Sequence, residues 1–173
     1  MGGWPGNGVL RNGEAGRIVV PTGYESSILI WRDGKDIAGV ESQVESSFKV
    51  QANTGADYAF VANDVSYFAG FTYPVECFCD ATSVRTSGCS ANLWNNGACP
   101  IDTHVAQRAC KNPLNDDQTM TVAHPWFAAC AGQAYTFPFD TKELSNGICQ
   151  TPIFGAMFCR MGRLIVLLGG LFG

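Results

Sequence analysis

The chain of 173 residues is poor in charge: only 15% of its residues are charged, and 11 lysines and arginines against 15 acidic residues leave a net charge of -4. The basic residues are scattered, so no concentrated face exists to neutralise phosphates, and a nucleic-acid partner is excluded on that ground. No stretch of eleven residues carries a convincing helical period, which excludes a helical bundle. The sequence has no Asn-x-Ser/Thr site, no G-x-S-x-G elbow and no phosphate-binding glycine loop. Long apolar runs are missing too. The strongest, Leu164 to Gly173, is ten residues, where a membrane helix needs about twenty. It lacks the polar spacer of a lipid-anchor signal, so a membrane role is not expected, and residues 160–173 read as a disordered or extraneous apolar tail. The start, Met1-Gly2-Gly3-Trp4-Pro5-Gly6, has neither a basic n-region nor an apolar h-region. The expectation is a leader already removed or an incomplete N-terminus.

Cysteine is absent from the first 76 residues and then appears eight times, at Cys77, Cys79, Cys89, Cys99, Cys110, Cys130, Cys149 and Cys159. An even number spread through loop-like sequence reads as a disulfide framework formed in an oxidising compartment, hence a secreted protein. Metal clustering is not expected: Cys77-Phe78-Cys79 makes a poor clip, and His104 and His124 stand twenty residues apart with no carboxylates at ligand spacing. No metal and no cofactor are implied.

What remains has the alternation of strands. Val44, Ser46, Phe48 and Val50 alternate with Glu45, Ser47 and Lys49, which turns Glu45 to the solvent side. Further short apolar runs are Arg17–Val20, Ser27–Trp31, Asp57–Val61 and Phe71–Val75, punctuated by Gly23, Gly34, Gly55 and Gly70. Twenty glycines, eight prolines and strands at regular short spacing predict an all-β protein, an antiparallel β-sandwich with a short disulfide-stapled, loop-rich appendage. The chain is long enough for one core, not two. The expected division is 1–76 for the first part of the sandwich, 77–130 for the disulfide-rich loops, 131–159 for the closing strands and 160–173 for the tail. Thr86-Ser87-Gly88 and Asn112 to Asp117 read as turns.

Several segments resemble the thaumatin-like family. Leu10-Arg11-Asn12-Gly13-Glu14 is similar to its "L-x-x-G-E" strand opening, Ile30-Trp31-Arg32 to "I-W-x-R", and Glu45 falls at the glutamate of "L-A-E-F". Asp64-Val65-Ser66 followed by Gly70-Phe71-Thr72-Tyr73-Pro74 resembles "D-V-S-x-x-D-G-F-N-x-P". Gly88-Cys89, Cys99-Pro100, Ala134-Tyr135-Thr136-Phe137 and Phe158-Cys159 resemble "G-C", "C-P", "A-Y-S-Y" and the closing "F-C". The likeness runs from about Leu10 to Cys159. The family's cysteine-bearing first strand is absent, which leaves Cys159 without its usual partner. Carried over by position, the resemblance implies bridges Cys89 to Cys149 and Cys99 to Cys110. Of the remaining cysteines, Cys79 with Cys130 is preferred, because Cys77 bridged to Cys79 would be strained; Cys77 and Cys159 stay unassigned.

The resemblance also implies an acidic cleft, built in the family from an arginine, a glutamate and three aspartates. Arg32, Glu45 and Asp64 match motif positions and Asp140 is a looser match, so these four are the candidate ligand-binding residues and Glu45 and Asp64 the candidate catalytic pair. Ala69 stands where a further aspartate is expected. Carboxylates accept hydrogen bonds from sugar hydroxyls, and a pair with separated pKa values can hydrolyse a glycosidic bond. Loss of one carboxylate weakens hydrolysis more than binding. The expectation is therefore a secreted, monomeric thaumatin-like protein that binds cell-wall β-1,3-glucan in a defence or wall-associated role. A weak endo-β-1,3-glucanase is the second reading, and a protein-binding module, an inhibitor of a secreted hydrolase or an effector, the third. Taken singly, each residue has a plainer role: Glu45 as a solvated side chain, Arg32 beside Asp33 as a surface pair, Asp64 as a strand cap.

Overall fold

A computed structural model describes residues 15–20, 23–31, 37–51, 58–79, 82–141, 147–152, 156–161 and 164–170. Among these, three sheets account for all the strands. The first contains β2 (Glu25–Ile30), β3 (Ser42–Gln51), β4 (Tyr58–Ser66) and β9 (Gly147–Pro152), all antiparallel and in that spatial order. The second orders β1 (Ala15–Val20), β11 (Leu164–Gly170), β10 (Ala156–Met161), β6 (Val75–Cys79) and β7 (Arg85–Cys89). A two-stranded ribbon joins β5 (Gly70–Phe71) to β8 (Cys110–Lys111). The all-β class is as the alternation predicts. The two larger sheets meet where β4 and β9 pack against β6 and β7.

The apolar runs become strands with small shifts. Phe71–Val75 splits, because Pro74 has no N–H to give a ladder; β5 ends at Phe71 and β6 starts at Val75. Two expectations are corrected. Arg85–Cys89, which contains the Thr86-Ser87-Gly88 read as a turn, is strand β7, paired with β6. Its small residues serve close approach. Ser87 Oγ accepts the Val65 N–H at 2.8 Å, and a Cβ at Gly88, where φ is +105°, would lie 2.2 Å from the Val75 carbonyl oxygen. The supposed tail is the other correction. Leu164–Gly170 is a strand between β10 and β1, antiparallel to the first and parallel to the second. Its apolar run has no polar alternation, so it offered no period to mark it as a strand.

Beyond Cys89 the chain is held by short 3-10 helices, 93–96, 102–107, 113–116 and 125–130. Their starts are capped by side chains that local sequence supplies. Asn92, Asn112 and His124 each accept an N–H two residues on. His124 thus has a structural task. Trp94 and Trp126 fold over Phe71 with ring centroids 6.4 and 5.9 Å from it, and their indole N–H groups donate to the Thr72 and Gly97 carbonyls.

Tyr67 joins these parts. It is fully buried, its ring meets Phe71 edge to face at 5.1 Å, and its hydroxyl accepts from the Val75 N–H at 2.8 Å and donates toward the Cys89 carbonyl at 3.3 Å. Its backbone N–H donates to the Tyr135 carbonyl, and its own carbonyl accepts from Asn112 Nδ2. Burial pushes the phenol well above its usual pKa, so it stays protonated.

The bridges differ from those the resemblance implied. Cys99 pairs with Cys110 as expected, with Cα atoms 5.7 Å apart. Cys89, however, pairs with Cys130, at 5.4 Å, so neither Cys89 to Cys149 nor Cys79 to Cys130 forms. The reason is position. Cys89 ends β7 beside the 125–130 helix, whose last residue is Cys130. Cys77 pairs with Cys159, its register partner on β10, so Cys159 has a partner after all. Cys79 is also disulfide-bonded; the Cys149 side chain lies outside the described residues. In the chain-entropy picture the Cys77 to Cys159 bridge, across 82 residues, stabilises by about 4 to 5 kcal/mol.

Two measurements follow. A non-reducing peptide map should yield Cys77–Cys159, Cys89–Cys130 and Cys99–Cys110 peptides, and recovery of a Cys89–Cys149 peptide would contradict this framework. Tyr67→Phe should lower the unfolding free energy by about 1 to 3 kcal/mol, because the buried Val75 N–H loses its acceptor; an unchanged denaturant midpoint would show that the hydroxyl is dispensable.

Candidate functional site

The first sheet has two unlike faces. Val44, Phe48 and Val65 point inward and are 3%, 2% and 0% exposed, which by alternation turns Glu45 and Asp64 outward. Register brings them together, since Glu45 of β3 is the direct cross-strand partner of Asp64 of β4. Directly opposed side chains on antiparallel strands have Cβ atoms about 4.5 to 5.5 Å apart. Ser27 of β2 is Glu45's partner on its other side, so the outer face reads Ser27, Glu45, Asp64 across three strands.

Two like charges at such a distance repel, and both carboxyl groups have raised pKa values. Asp64 is partly buried; that burial, and then the Glu45 carboxylate, push its pKa up to about 7, against a small opposing backbone hydrogen bond. Glu45 reaches solvent, yet the protein around it raises its pKa as well. At mildly acidic pH, Asp64 is therefore protonated and a hydrogen-bond donor beside the Glu45 carboxyl group.

Tyr135 completes the group. Its backbone continues the sheet beyond the end of β9, with its N–H donating to the Val65 carbonyl and its carbonyl accepting from Tyr67, and it forms a parallel bridge with Ser66. The fields of Asp64, Glu45 and Asp140, after burial, raise its phenol pKa. Its hydroxyl donates to the Pro138 carbonyl at 2.5 Å, and its ring meets Phe68 edge to face at 5.7 Å. Phe139, one residue beyond Pro138, is 58% exposed.

Asp140 takes a different part from that implied. It is fully buried, and its Oδ2 accepts from the Gly132 N–H and from Thr136 Oγ1, each at 3.1 Å. It holds the 132–140 turn that carries Tyr135. Arg32 lies outside the described residues. The sequence pattern thus placed Glu45 and Asp64, while Tyr135 was visible only as part of a motif. The signal that finds it is three-dimensional: a backbone bridge from a loop nearly seventy residues downstream of Ser66.

Compared with known proteins, the chain matches no family model and no curated protein sequence. The thaumatin-like resemblance therefore rests on the motif residues quoted above.

The raised Asp64 pKa makes stability depend on pH in a definite sense. A carboxyl whose folded-state pKa exceeds its unfolded value near 3.8 favours folding fully below that value and loses the contribution as pH rises toward 7. Wild-type thermal stability should accordingly fall from pH 5 to pH 8. Asp64→Asn should flatten that fall and be more stable at pH 8 by about 1 to 2 kcal/mol, a figure reduced from the full shift because Asp64 is only partly buried. Parallel pH profiles of the two proteins would contradict the paired-carboxyl description.

Proposed function

We propose that this is a secreted carbohydrate-binding protein that takes β-1,3-glucan on the outer face of the β2–β3–β4 sheet. The observation that carries the reading is the register pairing of Glu45 with Asp64, flanked by Tyr135. A protonated Asp64 donates and a Glu45 carboxyl oxygen accepts, which suits vicinal sugar hydroxyls, groups that both donate and accept. Aromatic faces at Phe68, Tyr135 and exposed Phe139 suit the apolar faces of sugar rings. The several disulfides support an oxidising, extracellular setting. The motif likeness to thaumatin-like proteins points the same way, toward a defence or wall-associated role.

One observation favours hydrolysis as the second reading. A glycosidase needs a carboxylic acid that is still protonated near working pH beside a second carboxyl group, and Asp64, raised to about 7 beside Glu45, suits the first part. Against this stands Ala69, where the motif leads one to expect a carboxylate. Binding without useful turnover is the reading adopted.

Pull-down on insoluble β-1,3-glucan, with reducing sugar measured in the same tube, tests it. Wild type should bind and release no sugar above background, while Glu45→Gln and Asp64→Asn should each weaken binding about 5- to 30-fold, the loss of one hydrogen bond of about 1 to 2 kcal/mol. Hydrolysis by wild type that vanishes in Glu45→Gln would establish the enzyme reading instead. Absence of binding by wild type would favour a protein partner, such as a secreted hydrolase.

A further inference from the structure

Directly behind the carboxyl pair, on the opposite face of the same two strands, the core contains a polar spot. Ser46 follows Glu45 and Asn63 precedes Asp64, and the two are themselves register partners. Both face inward, 8% and 3% exposed, among Val44, Phe48 and Val65. Ser46 Oγ and both the Nδ2 and Oδ1 atoms of Asn63 are buried without a hydrogen-bond partner. Two side chains that face each other across a ladder are near enough to bond. Here they do not, although buried polar groups are almost always paired.

We propose that Ser46 and Asn63 hold one ordered internal water molecule inside the protein, beneath the Glu45–Asp64 pair. The chemistry fits a water better than any apolar occupant. Asn63 offers a donor at Nδ2 and an acceptor at Oδ1, and the Ser46 hydroxyl acts as either. One water accepting from Nδ2 and donating to Oδ1 and to Ser46 Oγ makes three hydrogen bonds, the usual number for a buried water. The neighbours of the pair leave a way in. On β2 the register partner of Ser46 is Ser26, which is exposed, and on β9 the register partner of Asn63 is Gly147, which has no side chain to fill the row. The row Ser26, Ser46, Asn63, Gly147 therefore runs from the exposed flank of the sheet into the core, polar or without a side chain at every position.

The inference is independent of the glucan reading and is tested without any ligand. Water-selective NOESY and ROESY spectra of the full chain should show exchange-independent cross-peaks of long-lived-water sign to the Asn63 side-chain amide protons and to the backbone amides of Ser46 and Asn63. A crystal structure should show a solvent peak within hydrogen-bond distance of all three atoms. The double variant Ser46→Ala with Asn63→Leu should lose these cross-peaks at the neighbouring amides while keeping the wild-type backbone spectrum elsewhere. Should that variant fail to fold, Ser46→Ala alone should keep the peak and shorten its lifetime. Wild-type spectra without long-lived water, or a crystal structure with Ser46 Oγ bonded directly to Asn63 and no solvent peak, would overturn the proposal, as would cross-peaks that persist in the double variant.

Discussion

The buried hydroxyl of Tyr67 is the constraint on which the rest of the arrangement depends. At the exit of β4 the chain leaves one sheet and must reach the other within a few residues, through a region where its backbone groups would otherwise lack partners. Tyr67 solves this with one side chain. Its hydroxyl serves the Val75 N–H at the start of β6 and the Cys89 carbonyl at the end of β7, while its backbone serves Tyr135 and Asn112. Both larger sheets, the looped region and the site-bearing turn thus converge on one residue. The Cys89–Cys130 bridge and the stack of Phe71, Trp126 and Phe127 fasten the same junction from the other side.

From that junction the geometry of the site follows. Anchoring the end of β4 fixes its register against β3, and the register decides that Glu45 meets Asp64 rather than a neutral residue. The pairing opposes stability, since like charges directly across a sheet repel. A raised Asp64 pKa, from burial and then from Glu45, relieves that repulsion below neutral pH, and Tyr135 is carried to the same face by a turn that Asp140 ties internally. A carboxylate implied to contact ligand is instead the one that holds the turn in shape.

The strand with regular alternation, β3, was legible in the sequence, as were the apolar run within β2 and the outward direction of Glu45. Others were not, for identifiable reasons. Strand β7 is polar and contains Gly88, features that signal a turn locally; only the backbone of Val75, which approaches too closely for any Cβ, explains them. Leu164–Gly170 carries no alternation of apolar and polar residues, so periodicity could not separate it from an extraneous tail. The bridge partners of Cys89 and Cys77 depend on which elements lie side by side, a 3-10 helix for the first and strand β10 for the second, and sequence spacing does not contain that. Tyr135 reaches the site through one parallel bridge, a contact with no local signature.

The central claim is that Glu45 and Asp64 form one coupled pair on the open face of the sheet, with Asp64 keeping its proton to near neutrality. The most direct measurement is a carbon-13 NMR titration of the side-chain carboxyls, in wild type and in Glu45→Gln. Asp64 should titrate near pH 7 in wild type and at lower pH once Glu45 is neutral, because the repulsion between the two carboxylates is then gone. An Asp64 resonance that titrates near pH 4 in both proteins would contradict the account.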